Sequence, residues 1–189
     1  MRIAVYGGSF NPPHKSHAMV ASWITSSGAA DCVWLMPVFE HAFEGMHEKK
    51  LAPFAMRVRW CSAMADDLGP LVQVSDVESK LSAPSYTVDT LQHLSKTFPE
   101  HTFRLVIGAD ILDQTQGWKS WDVIVQQYHP IIVGREGYSH GDSLSVGSPV
   151  FPAVSSTEVR RRLANDEPVD DLVPPAVCAS LMESNPWRP

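Results

Sequence analysis

The sequence predicts an α/β fold in which a doubly wound parallel sheet is followed by a small C-terminal helical part. Three observations lead to this prediction. Short apolar segments alternate with segments of helical periodicity along most of the chain. Most of the apolar segments are continuous, as in strands that are covered on both faces. The last third is at first rich in Gly, Ser and Pro and then shows two short helical patterns.

The elements are predicted in the following order. A first strand over residues 2–6 leads through a Gly- and Pro-rich loop into a helix over residues 15–26, which ends before Gly28. Pro53 stands at the favoured first position of the next helix, and apolar residues recur on one face of that helix. The remaining predictions are strands over residues 32–36, 71–75, 103–108 and 130–133 and helices over residues 53–67, 86–97 and 118–126.

The C-terminal third is predicted as a loop followed by two helices. Residues 135–152 form the loop, and Ser155 and Glu158 then have the spacing of a helix-capping pair. A last helix is expected after Pro174. A chain of 189 residues is long enough for one domain with a sizeable core, so a single domain over residues 1–189 is expected.

Composition excludes several classes of protein. The net charge of −6 argues against a nucleic-acid partner, and no apolar run is long enough to cross a bilayer. Met1 leads directly into a strand, so we expect no signal peptide. The three cysteines are scattered and lack the spacing of a zinc site, which indicates reduced thiols in a cytoplasmic protein.

The most informative segment joins the first strand to the first helix. Residues 3–17 read Ile-Ala-Val-Tyr-Gly-Gly-Ser-Phe-Asn-Pro-Pro-His-Lys-Ser-His. A turn of small residues brings backbone N–H groups to the start of a helix, and this arrangement attracts phosphate. His14 and His17 lie at the same helix start and could donate hydrogen bonds to phosphate oxygens. The alternative is an ordinary helix start with two surface histidines, but the segment favours a nucleotide site.

A second anion site is predicted where the helix after the loop begins. Ser155, Ser156, the free N–H groups of the first turn and Arg160 could bind phosphate together. The alternative is a well-capped surface helix, on which Arg161 and Arg162 are in any case expected to be solvated. Two phosphate-binding helix starts in one chain favour a polyphosphate ligand.

Two further groups follow the fourth predicted strand. Gly108 and Asp110 come directly at its end, where a carboxylate often accepts hydrogen bonds from a ribose, although Asp110 could also cap a helix. Trp118 and Trp121 follow closely, and an indole there could stack on a flat heterocycle or belong to the core.

The long segment after the second strand contains His41, His47, Lys49 and Lys50. Segments of this length are often active-site loops, and the lysines could reach a phosphate. A metal site formed by the two histidines is an alternative, although no matching ligands accompany them, and a solvated loop is another.

Taken together, these motifs resemble the nucleotidylyltransferase superfamily. The segment Gly-Gly-Ser-Phe-Asn-Pro-Pro-His-Lys-Ser-His over residues 7–17 is similar to the signature GxFxPxHxGH. Four further segments resemble nicotinate/nicotinamide mononucleotide adenylyltransferases: Ser-Tyr-Thr-Val-Asp-Thr-Leu over residues 85–91, Gly108-Ala-Asp110, the Trp118-x-x-Trp121 region and Val-Ser-Ser-Thr-x-x-Arg over residues 154–160. The motifs follow the family order and cover nearly the whole chain.

This resemblance implies a Rossmann-like nucleotidylyltransferase domain. The implied reaction transfers the adenylyl group of ATP to nicotinate mononucleotide, or to its amide, and releases pyrophosphate in NAD biosynthesis. Magnesium would arrive bound to ATP, and no metal ligand is assigned to the chain. His14 and His17 would be the catalytic residues. The implied ATP-binding residues are Gly8, Ser9, Phe10, His14, His17, Gly108, Asp110, Ser155, Ser156 and Arg160, and the implied mononucleotide-binding residues are Ser9, Tyr86, Thr87 and Trp118.

The chain departs from the family pattern at two places. Ser16 replaces the Gly between the two signature histidines, which adds a side chain at a point of close approach. Residues 39–50 do not match the usual Pro-Pro-His-Lys stretch. Two alternatives stay open at this point: nucleotidyl transfer to another phosphate acceptor such as phosphopantetheine, and a non-catalytic nucleotide sensor. The sequence is compatible with a homo-oligomer and does not decide between acid and amide.

Overall fold

A six-stranded parallel sheet forms the centre of the molecule in a computed structural model, which describes residues 1–42, 51–138, 145 and 147–188. The strand order is β3-β2-β1-β4-β5-β6. The strands span Arg2–Gly8 (β1), Cys32–Pro37 (β2), Val72–Val74 (β3), Thr102–Gly108 (β4), Ile131–Arg135 (β5) and Val150–Phe151 (β6).

Helices cover both faces of this sheet, which confirms the predicted doubly wound α/β fold. They span Lys15–Ser26 (α1), Phe54–Leu68 (α2), Thr87–Thr97 (α3), Trp121–Tyr128 (α4), Ser156–Ala164 (α5) and Pro175–Glu183 (α6), with 3₁₀ segments at Val77–Lys80 and Ala109–Gly117. Apolar residues of α1, α2, α5 and α6 share one buried cluster, whereas those of α3 and α4 form another. Since both sheet faces are buried, the strands read as continuous apolar segments.

Two local predictions were wrong. The stretch 135–152 was predicted as a loop, but it contains the short strand β6, which pairs with the end of β5. The fourth helix begins at Trp121 rather than at Trp118, because a 3₁₀ segment precedes it and Ser120 takes a left-handed conformation with φ of 51°. Within the described residues, none of the helices is both long and apolar enough to cross a bilayer.

The topology selects one edge of the sheet as the place for a ligand. The chain leaves β1 toward β2 and β3 on one side and returns to β4, β5 and β6 on the other. In open parallel sheets, ligands bind beyond the carboxyl ends of the strands at such a switch point. The ends of β1 and β4, at Gly8 and Gly108, are therefore neighbours at this crevice.

Candidate active site

The buried side chain of Phe10 anchors the turn between β1 and α1 in the protein interior. Phe10 is 1% exposed, has a left-handed backbone with φ of 44°, and packs its ring 4.8 Å from the ring of His17. Because the Phe10 side chain is buried, any contact of this predicted ATP-binding residue with a nucleotide would be through its backbone. A side chain at Gly8 would lie 3.3 Å from the Phe10 ring, so this position favours a residue without one.

The two signature histidines form a stacked pair at the start of α1. Their ring centroids are 3.7 Å apart, and the backbone N–H of His14 donates to Nδ1 of His17 at 3.1 Å. Since Nδ1 of His17 accepts this bond, the neutral ring carries its proton on Nε2, which is then a hydrogen-bond donor. Nδ1 of His14 is buried and has no hydrogen-bond partner among the described residues.

Both imidazoles are held in their neutral form. Burial, together with the positive charge of Arg135, lowers the pKa of His14 from 6.5 to about 3. Burial, His14 and Arg135 also lower the pKa of His17 well below its ordinary value. A bound polyphosphate would oppose these effects, because negative charge favours the protonated imidazole. At neutral pH the unliganded site therefore offers N–H donors without charge on either ring.

The start of α5 lies directly against the same turn. Ser156 Oγ donates to the carbonyl oxygen of Pro12 at 2.8 Å, and Arg160 Nη1 donates to that of Asn11 at 2.9 Å. Ser155 caps the helix by accepting a hydrogen bond from the Glu158 N–H at 3.2 Å. The two predicted anion sites are thus adjacent, and the two serine hydroxyls bind protein groups.

Ser16, which replaces the family glycine, takes part in this contact. Its side chain is 4% exposed, and Oγ donates to the carbonyl oxygen of Pro152 at 2.6 Å, just before α5. The extra side chain therefore points into the protein and joins α1 to the segment that precedes α5.

The two arginines after Arg160 differ from each other. Arg161 is exposed and pairs with Glu158 and Glu167, as a solvated side chain can. The prediction that Arg162 is also solvated was wrong, because its side chain is only 24% exposed and pairs with Glu158 and Asp171.

Arg135 is a site residue that the sequence analysis missed. It ends β5, its Nε lies 3.5 Å from Oδ2 of Asp110, and its Nη2 donates to the carbonyl oxygen of Val154 at 3.1 Å. Its charge acts on both histidines. A side chain at Gly108 would displace the Asp110 carboxylate from its present position. A basic residue at a strand's carboxyl end was the available signal, but the predicted strand stopped at residue 133.

A cavity of about 350 Å³ opens beside the turn. Gly7, Gly8 and Ser9 line one side of it, while Thr87 and Trp118 line another. The rest of the lining is mainly apolar and includes Met36, Leu91, Leu105 and Ile111. A pocket of this kind suits a flat ring with a few polar contacts.

The predicted aromatic residues occupy different places around this cavity. Trp118 lines it and meets Trp121 edge to face, with ring centroids 5.8 Å apart. Tyr86 instead lines a small adjoining recess together with Trp118, and Lys119 Nζ lies 4.7 Å from the centre of the Tyr86 ring. Of the three, Trp118 is therefore the residue placed to contact a ligand in the main cavity.

Glu78, a second residue missed from sequence, connects the walls of the cavity. It is 8% exposed and accepts hydrogen bonds from the Phe39 N–H at 3.0 Å and from Thr90 Oγ1 at 3.4 Å. Burial raises the pKa of Glu78, although hydrogen bonds from Phe39, Ser85 and Thr90 oppose this effect.

The segment after β2 is described only in part. His47, Lys49 and Lys50 lie outside the described residues, so their predicted roles stay predictions. His41 lies inside them and lines the cavity. In the part of the chain that the structure describes, no three His, Cys, Asp or Glu side chains are grouped so that they could hold a metal ion.

Fold and site together define a Rossmann-like nucleotide-binding protein, and comparison with known proteins identifies the family. A family model described as cytidylyltransferase-like matches residues 5–162. A probable nicotinate-nucleotide adenylyltransferase of Anaeromyxobacter sp. (strain K) is 41% identical over 189 residues, covering 98% of this chain and 96% of that protein. The chain therefore belongs to the cytidylyltransferase-like family and, within it, to the nicotinate-nucleotide adenylyltransferases, which confirms the resemblance.

More distant relatives agree with this assignment. A probable nicotinate-nucleotide adenylyltransferase of Bacillus pumilus (strain SAFR-032) is 34% identical over 178 residues, covering 93% of each protein. The structure of Plasmodium falciparum nicotinic acid mononucleotide adenylyltransferase complexed with NaAD superimposes with a TM-score of 0.77 at 19% identity. The match covers 98% of this chain and 97% of that one. At this identity the likeness shows a shared fold.

Proposed function

We propose that the chain transfers the adenylyl group of ATP to nicotinate mononucleotide, forming nicotinate adenine dinucleotide and pyrophosphate in NAD biosynthesis. One observation carries this proposal: the turn with the stacked histidines lies against the start of α5 and borders a mainly apolar cavity that Trp118 lines. The names of the relatives support the same reaction. The three free cysteines support a cytoplasmic location.

In this proposal, ATP lies along the side of the turn that meets α5. His14 and His17 donate to phosphate oxygens near the α-phosphorus, while Arg160 and Arg135 supply positive charge on either side. The free N–H groups of the first turn of α5 add partial positive charge. Asp110 binds a ribose hydroxyl, and Gly108 and Gly8 allow the nucleotide to approach the backbone closely.

The mononucleotide occupies the cavity. Trp118 stacks on the pyridinium ring, whose positive charge favours an electron-rich indole. In this scheme, Thr87, which lines the cavity, and Tyr86, which lines the adjoining recess, bind the substituent of the ring. In this proposal Ser9 contacts both substrates, because it lines the cavity and lies in the phosphate-binding turn.

The chemistry requires alignment and charge stabilisation more than proton transfer. The attacking phosphate has a second pKa of about 6, so it is ionised at neutral pH and needs no general base. Its oxygen attacks the α-phosphorus in line, and pyrophosphate leaves. Neutral histidines fixed as donors stabilise the charge that develops on the phosphate oxygens. Magnesium would arrive bound to ATP and would neutralise phosphate charge, and no residue of the chain is assigned to hold it.

The proposal is tested by pyrophosphate release from ATP with a panel of acceptors: nicotinate mononucleotide, nicotinamide mononucleotide and phosphopantetheine. We expect the highest kcat/KM with nicotinate mononucleotide, and loss of most turnover in a His17→Ala control. A preference for phosphopantetheine would assign the chain to another transferase reaction. Tight ATP binding without turnover of any acceptor would instead indicate a nucleotide sensor.

A further inference from the structure

Ser9 and His41 form a contact at the boundary between the turn and the cavity. The Oγ of Ser9 and the Nε2 of His41 are 3.0 Å apart, and both residues line the cavity. They are 32 residues apart in the chain, so the fold creates this contact.

A buried arginine fixes both sides of this contact. Arg57, in α2, is 2% exposed. Its Nη1 donates to the carbonyl oxygen of Ser9 at 3.0 Å and to that of Val38 at 2.7 Å. One guanidinium group therefore holds the backbone next to the Ser9 hydroxyl and the start of the segment that carries His41.

The same segment is also bound to the far wall of the cavity. The Ser85 N–H donates to the carbonyl oxygen of Glu40 at 2.9 Å, and His41 and Ser85 form an isolated parallel bridge. The Phe39 N–H donates to buried Glu78. The backbone of His41 is thus positioned by residues on two sides.

The distribution of charged side chains around the cavity suggests a role for the Ser9–His41 contact in binding phosphate. Among the described lining residues, His41 is the one basic side chain, Glu78 is the one acidic side chain, and most others are apolar. A nucleoside monophosphate brings a phosphate with about two negative charges to this boundary. Burying such a group without donors would be costly, so the boundary needs a hydrogen-bond donor.

We propose that His41 positions the Ser9 hydroxyl to donate a hydrogen bond to the attacking phosphate of the acceptor mononucleotide, an inference that rests on the proposed function. When the imidazole donates its Nε2–H to Ser9 Oγ, it occupies a lone pair of that oxygen. The hydroxyl hydrogen is then directed away from His41, and the substrate phosphate can accept it. His41 is a positioning residue in this scheme, and Ser9 contacts the substrate.

The experiment compares His41→Ala, Ser9→Ala, the double variant and a Glu40→Ala control. Glu40 is the chain neighbour of His41, is exposed, and is not among the cavity-lining residues. Steady-state assays measure KM for nicotinate mononucleotide and for ATP. Nicotinate riboside, which lacks the phosphate, serves as a competitive inhibitor and reports binding of the ring and sugar alone.

We expect His41→Ala to raise KM for the mononucleotide about tenfold, the effect of one lost hydrogen bond to a charged group. KM for ATP and inhibition by the riboside should stay at wild-type values, as should all constants of Glu40→Ala. Because His41 acts through Ser9, the double variant should bind the mononucleotide no more weakly than Ser9→Ala alone.

Three kinds of result would overturn this role. Equal weakening of the riboside and the mononucleotide in His41→Ala would show that His41 only shapes the cavity. Additive losses in the double variant would show that His41 does not act through Ser9. If the wild-type protein released no pyrophosphate with any mononucleotide, the proposed function itself would fail, whereas normal wild-type turnover with an unaffected His41→Ala variant would refute this inference alone.

Discussion

The stacked histidines should make the unliganded protein lose stability as the pH falls. The folded pKa of His14, about 3, is far below its ordinary value of 6.5, so the unfolded chain binds more protons in this range. Stability linked to such a group is complete above pH 6.5 and is lost as the pH falls toward the folded pKa. When the pH is lowered from about 7.5 to about 5, the free energy of unfolding should fall by about 2 kcal/mol for one histidine that stays unprotonated in the folded state.

A His14→Asn variant isolates this effect. Asparagine is a favourable residue at the first position before a helix, so it should preserve the start of α1. Urea unfolding without ATP, followed by the fluorescence of the six tryptophans, gives the free energy of unfolding of both proteins at the two pH values. Any loss of packing in the variant is present at both pH values and cancels in the comparison. The wild type should lose about 2 kcal/mol more than the variant; equal losses would refute the burial of a neutral His14.

The other predictions concern the proposed substrate contacts. His17→Ala should lower kcat at least ~10²-fold in a protein with normal circular dichroism, as expected for a lost transition-state donor, and near-normal turnover would contradict this. Arg160→Ala should raise KM for ATP more than KM for the mononucleotide, while Arg161→Ala, whose partners are Glu158 and Glu167, should change neither; equal effects of the two would remove the role of Arg160. Trp118→Ala should weaken mononucleotide binding, measured by fluorescence titration, by roughly 1–2 kcal/mol and leave KM for ATP unchanged; unchanged mononucleotide affinity would make Trp121 or Tyr86 the stacking candidate.

The fold could be predicted because its signal is repeated along the chain. Strands β1, β2 and β4 lie at the centre of the sheet and read as apolar segments, and each is followed by a helical pattern. Strand β6 escaped prediction because its two residues lie in a stretch rich in Gly, Ser and Pro and carry no periodic pattern. Its existence depends on pairing with β5, a contact that no local pattern encodes.

The site, like the fold, has features that a local sequence pattern reveals and others that depend on contacts between distant residues. His14 and His17 are recognisable because three residues of sequence place them at one helix start. Arg135, Glu78 and Arg57 also bind partners that lie 12 to 48 residues away, and only the folded chain shows which groups they meet. Local spacing thus indicates the candidate donors for phosphate, while the residues that support the rest of the site have to be found in the structure.

The contacts of Ser156 with Pro12 and of Ser16 with Pro152 have a consequence for folding during synthesis on the ribosome. They join parts of the chain that are 144 and 136 residues apart. While α5 is still inside the ribosome, the nascent chain already contains His14 and His17. The turn that carries them cannot yet form its hydrogen bonds to α5 and to the segment before it. If ATP binds this turn as proposed, it would bind most tightly to chains that have made these contacts, and cellular nucleotide would shift the folding equilibrium toward them by mass action.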